Sequence, residues 1–141
     1  MRFWDSSALL ALIAGQSGSD GIKSAIAEDS EVVVWWGAPV ELASGACRLR
    51  RNDVVDDNTL AKLLAAIQRI CSDADQIEPA EQVRNAAMRI LRVHNLRAAD
   101  SLQLAAALVW TDHNPAGAPF VCLDNRLRAA AEKEGFRVLP E

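Results

Sequence analysis

The sequence predicts a three-layer α/β/α protein whose central, mainly parallel sheet holds about four to five short strands. Two observations carry this expectation. Short apolar runs alternate with helix-period segments along the whole chain, the pattern that places helices on both faces of a parallel sheet. The run "EVVVWW" at 31–36 lacks polar alternation, as expected of a strand buried on both faces. The 141 residues, half of them hydrophobic, suit a single domain spanning 1–141 with an ordinary core.

The elements follow in order. "RFW" before Asp5 reads as a strand, and "SSALLALIAG" as a helix ended by Gly15. "GQSGSDG" is a loop and "IKSAIAED" a second helix, leading to the "EVVVWW" strand. Gly37 and Pro39 then break the chain, and Pro39 suits the first turn of the helix "VELASGACRLRR". "NTLAKLLAAIQRI" repeats Leu60, Leu63, Leu64 and Ile67 at helical spacing, which predicts a helical hairpin. "QIEP" is ambiguous. "AEQVRNAAMRILRVHN" is an amphipathic helix, and "RAADSLQLAAALVW" (97–110) is another. After the loop "HNPAGAP" come the strand "FVCLD", the helix "NRLRAAAEKE" closed by Gly135, and a last short strand, "FRVLP".

Composition narrows the function. No basic leader precedes an apolar run and no stretch reaches about 18 apolar residues, so neither a signal peptide nor a membrane span is expected and the location is cytoplasmic. Cys47, Cys71 and Cys122 are widely spaced in apolar patterns, which predicts buried, inert thiols. His94 and His113 form no spaced ligand set and read as surface or loop residues, which argues against zinc.

The acids carry the chemistry. Within "RAADSLQLAAALVW", Asp100 shares a helical face with Leu104, Ala107 and Leu108. Burying an ionised group without a partner costs several kcal/mol. Local roles are available: Asp100 as an N-cap with Gln103 reaching back, or paired with Arg97. Asp5 and Asp124 each end a strand, and Glu41 lies just inside the helix after "EVVVWW". Asp5 and Asp124 read locally as N-caps, and Glu41 as a third-position acid in a capping arrangement. In an open parallel sheet, however, the carboxyl ends of the strands share one edge, where ligands bind. Two carboxylates about 4 Å apart repel by about 4 kcal/mol at an effective dielectric of about 20. A hard divalent ion relieves that repulsion, and carboxylate oxygens with retained waters suit Mg²⁺ or Mn²⁺.

"WDSSALL", "PVELASGACRLRR", "LRAADSLQLAAALV" and "FVCLDNRLRAAAEKEGF", taken in this order, resemble a PIN domain, most closely the VapC-type toxins of bacterial toxin-antitoxin pairs. The resemblance implies a metal-dependent ribonuclease whose acidic pocket corresponds to Asp5, Glu41, Asp100 and Asp124, with Ser6 in support. It also implies an antitoxin partner that masks the pocket and a homodimer. Asn125 receives no chemical role, and Ser7 reads as a helix-start residue.

Under this reading the acids hold one or two Mg²⁺ or Mn²⁺ ions, with Glu41 as ligand or as base toward a water whose pKa the ion lowers. In-line attack leaves a 5′-phosphate and a 3′-hydroxyl. The net charge of −4 is no obstacle to RNA, because setting aside the four proposed ligands leaves 15 acidic against 15 basic residues. Arg48, Arg50, Arg51, Arg97 and Arg126 are the candidates for phosphate contact, and Trp35 and Trp36 for either base stacking or core. Leu9, Leu12 and Ile13 are candidate partner contacts, with core packing as the other role. Three alternatives remain: a non-catalytic PIN-like interaction module, an RNA-processing nuclease without an antitoxin, and a phosphoryl-transfer domain using Asp5 as nucleophile. The last lacks both a second aspartate beside Asp5 and a suitably placed lysine.

Overall fold

Parallel pairing of five short strands organises the chain. A computed structural model describes all of residues 1–141. The strands are β1 (Arg2–Trp4), β2 (Val32–Trp35), β3 (Asp75–Ile77), β4 (Pro119–Val121) and β5 (Arg137–Leu139), in the sheet order β3-β2-β1-β4-β5. Every pairing is parallel, with Phe3 opposite Val33 on one side and Phe120 on the other. The helices are α1 (Ser6–Ala14), α2 (Asp20–Glu28), α3 (Ala38–Arg51), α4 (Asp57–Asp73), α5 (Glu81–Val93), α6 (Ala98–Trp110) and α7 (Asn125–Glu134).

Alternating side chains along each central strand feed two separate cores. Phe3, Val33 and Phe120 face α5, α6 and α7, where the Phe3 and Phe120 rings stack at 5.5 Å. Trp4, Val34 and Val121 face the opposite layer, built from α1, α2, α3 and α4. This is the α/β/α arrangement expected from the sequence. Both faces of β1, β2 and β4 are therefore buried, as the unalternated run of β2 requires.

The ambiguous "QIEP" resolves into β3, an edge strand whose Asp75 and Gln76 are exposed. A polar three-residue edge strand carries no alternation to read, and its partner β2 supplies the pairing. Gly15 and Gly135 end α1 and α7 in the left-handed conformation, at φ 62° and 103°. Gly45, in the middle of α3, allows α1 to approach: a Cβ there would stand 2.5 Å from Leu10 Cδ2. That close contact sets the spacing between the helices that begin beside Asp5 and Glu41.

Several side chains lie elsewhere than the sequence suggested. Cys71 and Cys122 are buried free thiols, but Cys47 is half-buried because its position falls between the core and outer faces of α3. His113 is an exposed loop residue, whereas His94 is almost wholly enclosed and its Nε2 lies 2.7 Å from Glu134 Oε1. Trp35 is in the core and Trp36 is 52% exposed, so the pair divides between the two roles considered. Leu9 is buried in the second core, whereas Leu12 and Ile13 pack against it while remaining half-buried. No helix is long and apolar enough to cross a membrane.

Candidate active site

The turns at the carboxyl ends of β1, β2 and β4 deliver Asp5, Glu41 and Asp124 to one edge of the sheet. The first turn of α6, whose far end leads back toward β4, brings Asp100 to the same place. Exposure grades outward. Asp5 is 3% exposed, Glu41 and Asp100 are half-buried, and Asp124 is open to solvent. None of the four forms a salt bridge.

Asp5 is the most constrained. It caps α1, its Oδ2 accepting the Ser7 backbone N–H at 3.0 Å together with a short hydrogen bond from Ser7 Oγ and a contact from Cys122 Sγ at 3.6 Å. Ser7 Oγ also accepts the Leu123 N–H at 3.0 Å, and the Asp5 N–H reaches Val121 O at 2.9 Å. The ends of β1 and β4 are thereby stitched together around one carboxylate. Burial pushes the Asp5 carboxyl above its usual range, the Asp100 charge adds to the rise, and Ser7 and Cys122 oppose it. Burial also pushes the Cys122 thiol up, so it stays protonated and can donate to Asp5.

Glu41 sits in the fourth position of α3, behind the N-cap Gly37, and makes no capping arrangement. Gly37 is required there because a Cβ would stand 2.5 Å from Trp35 Nε1, so the turn into α3 folds tightly over the indole. Burial raises Glu41 to about 7; Asp5 and Asp100 push in the same direction, while the Gln103 amide and the Ser6 hydroxyl pull back. The N-cap of α6 is Arg97, so Asp100 is not the N-cap and Gln103 does not reach back to it. Burial and the Asp124 charge raise the Asp100 carboxyl; the charge and backbone N–H of Arg97 and the charge of Arg126 oppose the rise, and neither arginine forms a salt bridge with it. Asp124 does cap its helix, Oδ1 accepting the Leu127 N–H at 2.9 Å. Asp5 and Asp124 thus cap their helices as N-caps and Glu41 caps nothing, while Asp100, third in α6, is the acid on which the N–H of its N-cap Arg97 acts.

Gln103 connects these parts. Its Nε2 donates to Ser6 Oγ at 2.7 Å and to Glu41 Oε2 at 3.2 Å. Sequence reasoning missed this role, along with those of Ser7 and Cys122. The available signal was a glutamine inside the apolar run of α6, on a turn leading away from Asp100.

A cleft of about 680 Å³ opens over the site, lined by Ser6, Ser7, Glu41, Arg48, Leu123 and Asp124 among others. Of the candidate arginines, only Arg48 lines it. Arg50 is drawn to Asp57 at 2.6 Å and Asp53 at 3.3 Å at the far end of α3, and Arg51 is exposed there. Arg97 and Arg126 are exposed and near enough to Asp100 to act on its charge.

No three His, Cys, Asp or Glu side chains converge tightly enough to hold a metal ion as they stand. The donor set nonetheless fits a hard divalent cation. It is all oxygen, three of its carboxyls are driven up by burial and by their neighbours, and no cation of the protein neutralises it. Mg²⁺ characteristically keeps several waters and takes one or two direct carboxylates, so wider spacing is compatible with binding through water.

A parallel α/β/α sheet with acids on its carboxyl edge has them where open α/β folds bind their ligands. Residues 2–133 match the PIN domain family, and the chain belongs to that family, whose members are typically nucleases that act on nucleic acid and use divalent metal ions. No curated protein sequence matches it.

Proposed function

We propose that this protein is a Mg²⁺- or Mn²⁺-dependent endoribonuclease, with Asp5, Glu41, Asp100 and Asp124 holding one or two ions. The observation that carries the reading is the edge of acids without an ion-pair partner: four acids, no salt bridge, and three carboxyls raised by burial and by a neighbouring acid. When bound, the ion neutralises phosphate oxygens and acidifies a water. Glu41, with a pKa of about 7, is suited to take a proton from the attacking water near neutral pH. Arg48, on the cleft wall, would bind a phosphate bidentately. Ser6 would steady the network, through Gln103. The products are a 5′-phosphate and a 3′-hydroxyl.

The finer assignment follows the VapC resemblance: a single-domain, cytoplasmic toxin, homodimeric, whose antitoxin covers the cleft. A PIN-like interaction module is the second reading, favoured by Asp5 and Asp124 already serving as caps.

Mn²⁺ titration with thermal unfolding separates the two. A ligand that binds the folded state raises the midpoint by an amount set by its concentration over its dissociation constant. The wild type is expected to gain stability with Mn²⁺. Asp100→Asn should start at least as stable without metal, having lost repulsion, and gain little. No response in the wild type, or equal responses in both, would overturn the metal reading and favour the module.

A further inference from the structure

Gln103 is 0% exposed and sits in a helix segment whose next five residues, Leu104 to Leu108, are all buried and apolar. Its Oε1 is buried without any hydrogen-bond partner. An unmatched buried carbonyl is destabilising, and a leucine or methionine of similar volume would avoid it. The amide cannot relieve this by turning over, because its oxygen would then face the Glu41 carboxylate. What remains to justify the residue is Nε2, which holds Ser6 Oγ and Glu41 Oε2 together. One amide thus joins α6 to the start of α1 and the first turn of α3. It donates to the Glu41 carboxylate at 3.2 Å and holds beside it the Ser6 hydroxyl, the other group that favours the charged form of Glu41. Glu41 has three side-chain torsions and the charges of Asp5 and Asp100 beside it, so without that donor it would turn toward solvent.

We propose that Gln103 is a positioning residue of the active site, using its Nε2 to lock Ser6 and Glu41 in place so that the Glu41 carboxylate stays beside the other acids. This rests on the metal-dependent nuclease reading for its consequence, but not for the contact itself. Groups that orient metal ligands typically change affinity or activity by about 10- to 100-fold when removed.

The test is a double-mutant cycle of Gln103→Met and Glu41→Ala, read as Mn²⁺ affinity by electron paramagnetic resonance and as unfolding midpoint without metal. Gln103→Met should weaken Mn²⁺ binding about tenfold, and Glu41→Ala at least as much. The double variant should bind no more weakly than Glu41→Ala alone, because Gln103 acts through Glu41. Gln103→Asn, which keeps an amide that cannot reach, should behave like Gln103→Met and serves if the methionine variant does not fold. An affinity within twofold of wild type in Gln103→Met or Gln103→Asn, or a loss that adds in full to that of Glu41→Ala, would overturn the proposal. If the wild type binds no Mn²⁺, the nuclease reading fails and the metal-free midpoints decide the contact: non-additive shifts uphold the lock, and additive shifts overturn it.

Discussion

The two edges of the sheet hold the same kinds of acid in opposite circumstances. At the edge where strands begin, Asp29 receives the amino-terminal ammonium and lies 3.9 Å from Arg2 Nε. Glu134, delivered by the end of α7, accepts both nitrogens of Arg89 at 3.1 and 2.8 Å and faces His94. The bond from the terminal ammonium holds Asp29 below the usual carboxylate range, and the bond from Arg89 does the same for Glu134. At the edge where strands end, Asp5, Glu41 and Asp100 are all pushed up, chiefly by burial. The difference teaches where the fold is stabilised and where it is left in tension. Acids that the chain neutralises serve the fold; acids that it buries together without an ion-pair partner are the ones that, on the proposed function, a cation from solution would hold.

Four substitutions test this contrast, and the largest effect belongs to the neutralised edge. Glu134→Gln should destabilise the protein by about 1–2 kcal/mol at pH 7, since it strips a charge partner from Arg89 and weakens the hydrogen bond to the enclosed His94. Because Glu134 has a lowered folded pKa, its contribution is present above the unfolded value of 4.5 and fades as the pH falls through the folded value. Urea unfolding of both proteins at pH 7 and pH 3 should show the gap closing at low pH, with the Mn²⁺ response unchanged.

Glu41→Gln should do the reverse. A carboxyl raised from 4.5 to about 7 binds its proton more tightly in the folded state, so the wild type loses stability as the pH rises from 4.5 to 7. Without metal, the variant should be more stable than wild type by about 1 kcal/mol at pH 8, solvent screening of this half-buried group reducing the effect. The difference should vanish at and below pH 4.5. A variant that is less stable than wild type at pH 8 would show that the carboxyl edge is not in tension. The smallest effect is that of Arg48→Ala on the cleft wall, which should weaken RNA binding and lower the slope of log affinity against log salt by about one. Arg50→Ala, already occupied by Asp57 and Asp53, should leave that slope as it is.

Much of this was legible because local chemistry sufficed. The strand of "EVVVWW", the glycine stops of α1 and α7, and the caps at Asp5 and Asp124 depend on residues within a turn of one another. The β3 edge strand was not legible, since its only reason to be extended is a partner some 40 residues away along the chain. His94 does lie in the loop that follows α5, as read, but its contact with Glu134 was not legible for the same reason: the partner stands 40 residues further along the chain.

By itself the sequence determined the alternation of strands and helices, and hence which edge receives Asp5, Glu41 and Asp124, because periodicity and parallel connection leave few other arrangements. Only the tertiary structure decided what each acid faces there. Ser7 and Cys122 at Asp5, Gln103 between Ser6 and Glu41, and Arg48 rather than Arg50 on the cleft wall are meetings of residues up to 117 positions apart. Such encounters are set by helix spacing and register. Helix spacing turns on contacts such as Gly45 against Leu10, to which no local pattern points.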